Sequence, residues 1–224
     1  MVQHKLIIGV VGGTGALGGA LARRWARAGY RVIVGSRDAD KAREAALQLT
    51  ALADAPIEGA SNTEAARSGD IVVVTVPWGA NEATLAEIRA EVQGKIVVDT
   101  TVPLVPPKVM RVQLPPDGSA AMRTQRLLGE GVRVVAAFHN VAAHKLAIEA
   151  IVDCDVLVFG DQKEARESVI ELATAAGLRG IHGGALPNSA AAEALTSVLI
   201  FINKTYRVDG AGLRISGELQ PLDS

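Results

Sequence analysis

Short β-branched apolar runs alternate along this chain with longer stretches of helical periodicity. The runs at residues 6–11, 31–35, 71–76, 95–98, 132–138 and 156–160 read as strands, with a weaker one near Ile57. Between and after them, residues 16–28, 39–53, 63–68, 81–91, 119–128, 142–151, 163–176 and 189–206 read as helices. This alternation predicts an α/β fold in which helices cover a largely parallel sheet. Right-handed crossovers then make it a doubly wound, mostly parallel sheet with a small C-terminal α/β part. Residues 100–118 hold five of the nine prolines and are expected to form a long loop beyond a strand.

Composition narrows the possibilities. A chain of 224 residues with 49% apolar and 21% charged side chains can bury a proper core, which excludes a disordered chain or a minimal stapled scaffold. Lys and Arg number 23 against 24 Asp and Glu, so no surplus of positive charge points to nucleic acid as a partner. The single cysteine, Cys154, makes no internal disulfide and suits a reducing compartment. Residues 1–5 run into an apolar segment far shorter than the roughly 20 residues that span a bilayer. The expectation is therefore a cytoplasmic protein with neither signal peptide nor membrane anchor.

The strongest chemical signal lies at the first strand, where residues 6–11 open through Gly12, Gly13, Thr14 and Gly15 into a helix containing Gly18. Gly13, Gly15 and Gly18 satisfy G-x-G-x-x-G. That pattern combines a tight turn, a close approach of backbone to a pyrophosphate, and close helix–strand packing, with the helix N-terminus attracting the anion. At the end of the second strand, NAD enzymes place an acidic residue on the ribose diol; this chain has Ser36 and Arg37 there, with Lys41 one turn on. A hydroxyl and two cations suit a 2′-phosphate, and Asp38 comes late for the diol. NADP is favoured over NAD, and the fold is expected to be a Rossmann-like NADP-binding one.

Three further strand ends carry candidate residues. Pro77 and Trp78 follow one strand, Thr100 to Leu104 another, and His139 a third, and ligands of open α/β sheets sit beyond such ends. His139 is placed to bond a substrate ring or handle a proton. His4, His144 and His182 form no metal-ligand spacing with it, so no metal site is expected.

Taken together, these residues resemble the F420-dependent NADP reductases, which move hydride between NADP and the deazaflavin coenzyme F420. The likeness rests on residues 12–18, on Val34-Gly35-Ser36-Arg37 with Lys41, and on Val76-Pro77-Trp78. It continues through Phe138-His139-Asn140-Val141, Leu186-Pro187-Asn188-Ser189 and Glu193-Ala194-Leu195-Thr196, in family order over nearly the whole chain. The resemblance implies that Gly13, Thr14, Gly15, Ala16 and Leu17 hold the pyrophosphate and that Ser36, Arg37 and Lys41 hold the 2′-phosphate. Pro77, Trp78, Leu104, Ala143 and, from the glycine-containing tail, Ala211 would meet the rest of NADP. His139, Val141, Asn188 and Thr196 would face the acceptor, with His139 and Thr196 orienting it. The family pattern often has Arg and Ser where this chain has Ala190 and Ala194.

The expected function is hydride transfer between NADPH and F420 or a flavin-like acceptor. Residues 1–138 would form the NADP-binding domain and residues 139–224 a smaller part completing the acceptor cleft, in a homodimer. A reductase of a small carbonyl or imine, or a non-catalytic NADP-sensing protein, remains open as an alternative.

Overall fold

Both faces of the central sheet are buried because nearly every position of its inner strands is apolar. The structure, a computed structural model, describes residues 6–220, so the expectation about residues 1–5 lies outside the described residues. The chain runs β1 (Ile7–Val11), α1 (Ala16–Arg27), β2 (Arg31–Ser36), α2 (Ala39–Ala53), β3 (Ile57–Ser61), α3 (Asn62–Ser68), β4 (Ile71–Val74) and α4 (Trp78–Ile88). It continues through β5 (Ile96–Asp99), α5 (Ala120–Leu128), β6 (Arg133–Ala136), α6 (Ala143–Leu146), β7 (Asp155–Phe159), α7 (Lys163–Ala175), β8 (Arg179–Gly184) and α8 (Ser189–Tyr206).

One eight-stranded sheet has the order β3-β2-β1-β4-β5-β6-β7-β8. Strands β1 to β6 are parallel to their neighbours, whereas β7 meets β6 antiparallel and then pairs parallel with β8. Side chains alternate across the sheet, so Ile71 and Val73 of β4 join the core beneath α1, α2 and α7, with Leu21, Ala46 and Leu172. Val72 and Val74 enter the opposite core beneath α3, α4 and α5, with Ala66, Leu85 and Leu128. The strand order reverses between β1 and β4, which opens a crevice at their carboxyl ends.

Two elements depart from the sequence expectation. Strand β8, read as no element at all, contains Gly180, Gly183 and Gly184 at the sheet edge, where low β-propensity hides a backbone that still pairs with β7. The helix expected over 142–151 stops at Leu146. From there Arg24 takes over: its guanidinium donates to the carbonyls of Leu146, Ile148 and Ala150 at 2.8, 2.9 and 3.1 Å, groups a continuing helix would use internally.

Trp25 joins three parts of the structure. It is fully buried, its indole N–H donates to the Leu172 carbonyl of α7 at 2.8 Å, and its ring meets Phe138 edge-on with centroids 6.0 Å apart. Phe138 holds a left-handed φ of 65°, so the chain turns sharply just beyond β6. Trp25→Ala is expected to lower unfolding free energy by about 3–5 kcal/mol, read from urea unfolding by circular dichroism. A loss under about 1 kcal/mol would show that the α1–α7–β6 junction does not depend on this ring.

Candidate active-site cleft

At the crevice between β1 and β4, the turn from β1 into α1 leaves no room for a side chain at Gly12, Gly13 or Gly18. Gly12 has a φ of 75°, and its N–H donates to the Asn62 side-chain oxygen at 3.1 Å. Gly13 donates to the carbonyls of Val10 and Gly35, and a Cβ on it would lie 2.8 Å from that of Val34. A Cβ on Gly18 would meet the Thr75 hydroxyl at 2.5 Å, so α1 presses directly on the sheet. Helices α2, α3 and α5 have side-chain caps from Asp38, Ser61 and Ser119; α1 begins at Gly15 with neither a side-chain cap nor an acidic residue in its first turn. Its positive end therefore faces the crevice uncompensated.

A cavity of about 490 Å³ occupies this crevice. Thr14, Gly15, Ala16 and Leu17 line it at the helix end, with Ser36 and Arg37 at the end of β2. The Asp38 carboxylate accepts from the backbone N–H groups of Asp40 and Lys41 at 3.1 and 3.2 Å and is thereby committed to capping α2. Arg37 makes no hydrogen bond or ion pair among the described residues. Lys41, by contrast, does not line the cavity; its ammonium lies 3.9 Å from Asp38. Gly13 sits behind the turn, buried, and shapes it without lining the cavity.

Pro77, Trp78 and Leu104 form the next part of the wall, beyond β4 and β5. Arg123 of α5 stacks over the Trp78 ring at 5.0 Å while pairing with Glu82, which fixes the indole from behind. The far wall comes from the end of β6, where the turn at Phe138 brings His139, Val141 and Ala143 to the same cavity. His139 is 7% exposed, and among the described residues neither ring nitrogen has a partner. Burial alone pushes its pKa down to about 4, so the imidazole is neutral and offers one donor and one acceptor to a ligand.

Thr196 stands one layer behind this wall. Its hydroxyl donates to the His139 carbonyl at 3.0 Å and accepts from the Asn140 amide, which also donates to the Ala192 carbonyl at 2.8 Å. Glu193, on the same helix, is 1% exposed and accepts from the N–H groups of Ala120 and Ala121 at 2.6 and 3.1 Å, fastening α8 to the start of α5. Burial outweighs those bonds and pushes its carboxyl up to about 8. Asn188 lies outside the cavity, its amide donating to the Gly183 carbonyl at 3.1 Å. Ala211 is likewise outside, with its N–H on the Asn203 side chain.

Asn62 belongs to the site although sequence reasoning passed over it, and Thr101, expected there as part of the strand end at Thr100 to Leu104, lines it as well. Asn62 holds the glycine turn, and Thr101 accepts from the buried Asn81 amide while its N–H donates to Asp99. Their positions at strand ends were the available signal, as they were for Pro77 and His139. Among the described residues no group of three or more His, Cys, Asp or Glu is placed to hold a metal, and no helix is long and apolar enough to cross a membrane.

A doubly wound sheet with an uncapped helix N-terminus at its switch-point cavity defines a dinucleotide-binding protein of the Rossmann type. Residues 7–103 match the family model described as NADP oxidoreductase, coenzyme F420-dependent. The chain is 45% identical over 218 residues to an F420-dependent NADP reductase of Methanothermobacter thermautotrophicus, covering 93% of this chain and 94% of the relative. It is 40% identical to the enzyme of that name from Methanocaldococcus jannaschii, covering 93% and 97%. The chain thus belongs to the F420-dependent NADP reductase family. A crystal structure from Arthrobacter sp. FB24, provisionally given the same name, shares the fold with a TM-score of 0.80 at 24% identity over 94% of this chain and 99% of that one.

The buried histidine sets an expected pH response. A folded-state pKa of about 4 lies below the ordinary 6.5, so as pH falls below 6.5 the unfolded chain takes up a proton that the folded chain does not. Stability contributed by neutral His139 is present above pH 6.5 and is lost down to about pH 4, by about 3 kcal/mol. Urea unfolding at pH 7 and pH 4 should show the wild type losing that much more than His139→Leu; equal losses would contradict a desolvated imidazole.

Proposed function

We propose that this protein transfers hydride between NADPH and coenzyme F420, and that the single cavity at the carboxyl ends of β1, β4, β5 and β6 holds both reacting rings. Membership of the family, together with a lip whose arginine is unpaired and whose acid is committed to a helix cap, carries the reading. The bound cofactors supply the hydride donor and acceptor; the protein supplies position. In this reading Thr14 to Leu17 and the α1 N-terminus hold the pyrophosphate, with Gly13 shaping the turn, and Ser36 and Arg37 take the 2′-phosphate. Lys41 turns from Asp38 to join them. A Cβ on Gly15 would meet only the Gly12 carbonyl, at 3.4 Å, so a glycine here keeps space on the ligand side that the fold itself does not require.

Pro77, Trp78, Leu104 and Ala143 position the nicotinamide half. His139 and Val141 form the acceptor wall, and Thr196 orients the acceptor through the His139 carbonyl it bonds. Asn188 and Ala211 join the site on the acceptor and nucleotide sides by movement of the segments that carry them. Residues 1–138 act as the nucleotide-binding part and residues 139–224 complete the acceptor cleft. The same reading takes the protein to be cytoplasmic, with small redox cofactors rather than nucleic acid as its partners. Homodimerisation would cover the exposed Val198, Phe201 and Tyr206 of α8.

Single-turnover oxidation of bound NADPH, followed by stopped flow with F420, FMN, FAD and riboflavin in turn, tests this function. F420 is expected to oxidise NADPH fastest, and Val141→Phe to slow that step at least tenfold with NADPH affinity changed less than threefold. A flavin outpacing F420 would reassign the acceptor. A Val141→Phe enzyme as fast as wild type would remove this wall from the reaction.

A further inference from the structure

Toward the C-terminal end of α1, Arg23 is 8% exposed, and its Nε is enclosed with no hydrogen-bond partner among the described residues. Among the described residues its guanidinium makes no hydrogen bond or ion pair at all. An enclosed guanidinium nitrogen without a partner has lost its hydration with nothing from the protein to replace it. Asp and Glu side chains ordinarily offset that loss, and none does so here.

The surroundings increase the positive charge. Arg23 lines a cavity of about 460 Å³ with Arg24 and Arg27 of the same helix, and among the described residues the only acidic side chain on its walls is Glu149. Glu149 pairs with Arg27. Arg24 is satisfied by the carbonyls of Leu146, Ile148, Ala150 and Ala176, which are neutral, so its charge stays uncancelled. Burial, followed by the fields of Arg23 and Arg27, holds the Arg24 pKa below its usual value. Three cations against one anion leave the cavity with a surplus of two positive charges. Ile148 and Ile151, 52% and 96% exposed, give it an apolar rim; none of its lining residues lines the 490 Å³ cofactor cleft, and Arg23 also borders a smaller cavity that reaches Thr14, Gly15 and Ala16.

We propose that this cavity is a second, separate anion-binding site, which takes a doubly charged oxyanion of the phosphate-monoester kind with Arg23 as its direct ligand. Two negative charges match the surplus, and the fork of Arg23 offers paired N–H donors to adjacent oxygens. The body of such a ligand would lie against Ile148 and Ile151. Because Arg24 already holds the carbonyls of that segment inward, the backbone presents few acceptors to repel it.

Inorganic phosphate is the probe, titrated calorimetrically into protein saturated with NADP⁺ so that the nucleotide phosphate sites are filled, with acetate and chloride at matched ionic strength. Saturable binding of phosphate but not of acetate or chloride is expected. Arg23→Gln should weaken it at least tenfold while leaving NADP⁺ affinity within twofold. In phosphate-free buffer the variant should unfold at the same temperature as wild type or higher, since it removes an unpaired charge. In the NADP⁺-saturated wild type, phosphate should slow amide hydrogen exchange over residues 146–151 and leave residues 12–18 unchanged, a readout independent of how any variant folds. Absence of saturable phosphate binding, binding retained in Arg23→Gln, or unchanged exchange over 146–151 would overturn the site, leaving the reading of the cofactor cleft untouched.

Discussion

Where β1 turns into α1, backbone meets backbone and side chain with no space for a Cβ at Gly12, Gly13 or Gly18, and the cleft depends on that contact. A Cβ at Gly12 would lie 2.6 Å from Val76, at Gly13 2.8 Å from Val34, and at Gly18 2.5 Å from Thr75. The helix is therefore seated on the sheet at the switch point, with its first N–H groups beyond the strand ends and no side chain competing for them. Such an end favours an anion by its partial charge and by its unsatisfied donors together. The rest of the cavity is assembled around it by the carboxyl ends of β2, β4, β5 and β6.

The opposite wall is held by a longer chain of contacts. Trp25 steadies Phe138, whose left-handed turn delivers His139; Thr196 holds the His139 carbonyl; Glu193 anchors the helix that carries Thr196 to the start of α5. The last two links are hydrogen bonds, so each requires a partner and removing one leaves another group unsatisfied. The wall is thus tied to three other elements and presents a neutral imidazole and a valine to the ligand, a surface suited to positioning a flat ring rather than to donating protons.

Legibility from sequence followed the distance over which each feature is determined. The glycine turn, Ser36 and Arg37, Pro77 with Trp78, and His139 were readable because each is a local pattern at the end of an apolar strand. What ended α6 was not, since the agent is Arg24, more than a hundred residues earlier. Strand β8 was hidden by its glycines, and Asn62 by the need to know that α3 starts beside the turn. The residues grouped by family likeness also divided in space: His139 and Val141 line the cavity, Thr196 stands behind it, and Asn188 and Ala211 lie outside.

Gly15 separates the demands of folding from those of ligand binding, because unlike Gly12, Gly13 and Gly18 it has room for a side chain, with only the Gly12 carbonyl nearby at 3.4 Å. Its extended backbone, with φ of −77° and ψ of 166°, also suits a β-branched residue. The most direct measurement is therefore calorimetric NADPH binding by Gly15→Val, alongside its circular dichroism and thermal midpoint. A folded protein with a midpoint close to wild type and NADPH affinity reduced at least a hundredfold is expected. A folded Gly15→Val protein that binds NADPH as tightly as wild type would mean that the nucleotide phosphates do not sit at this helix end.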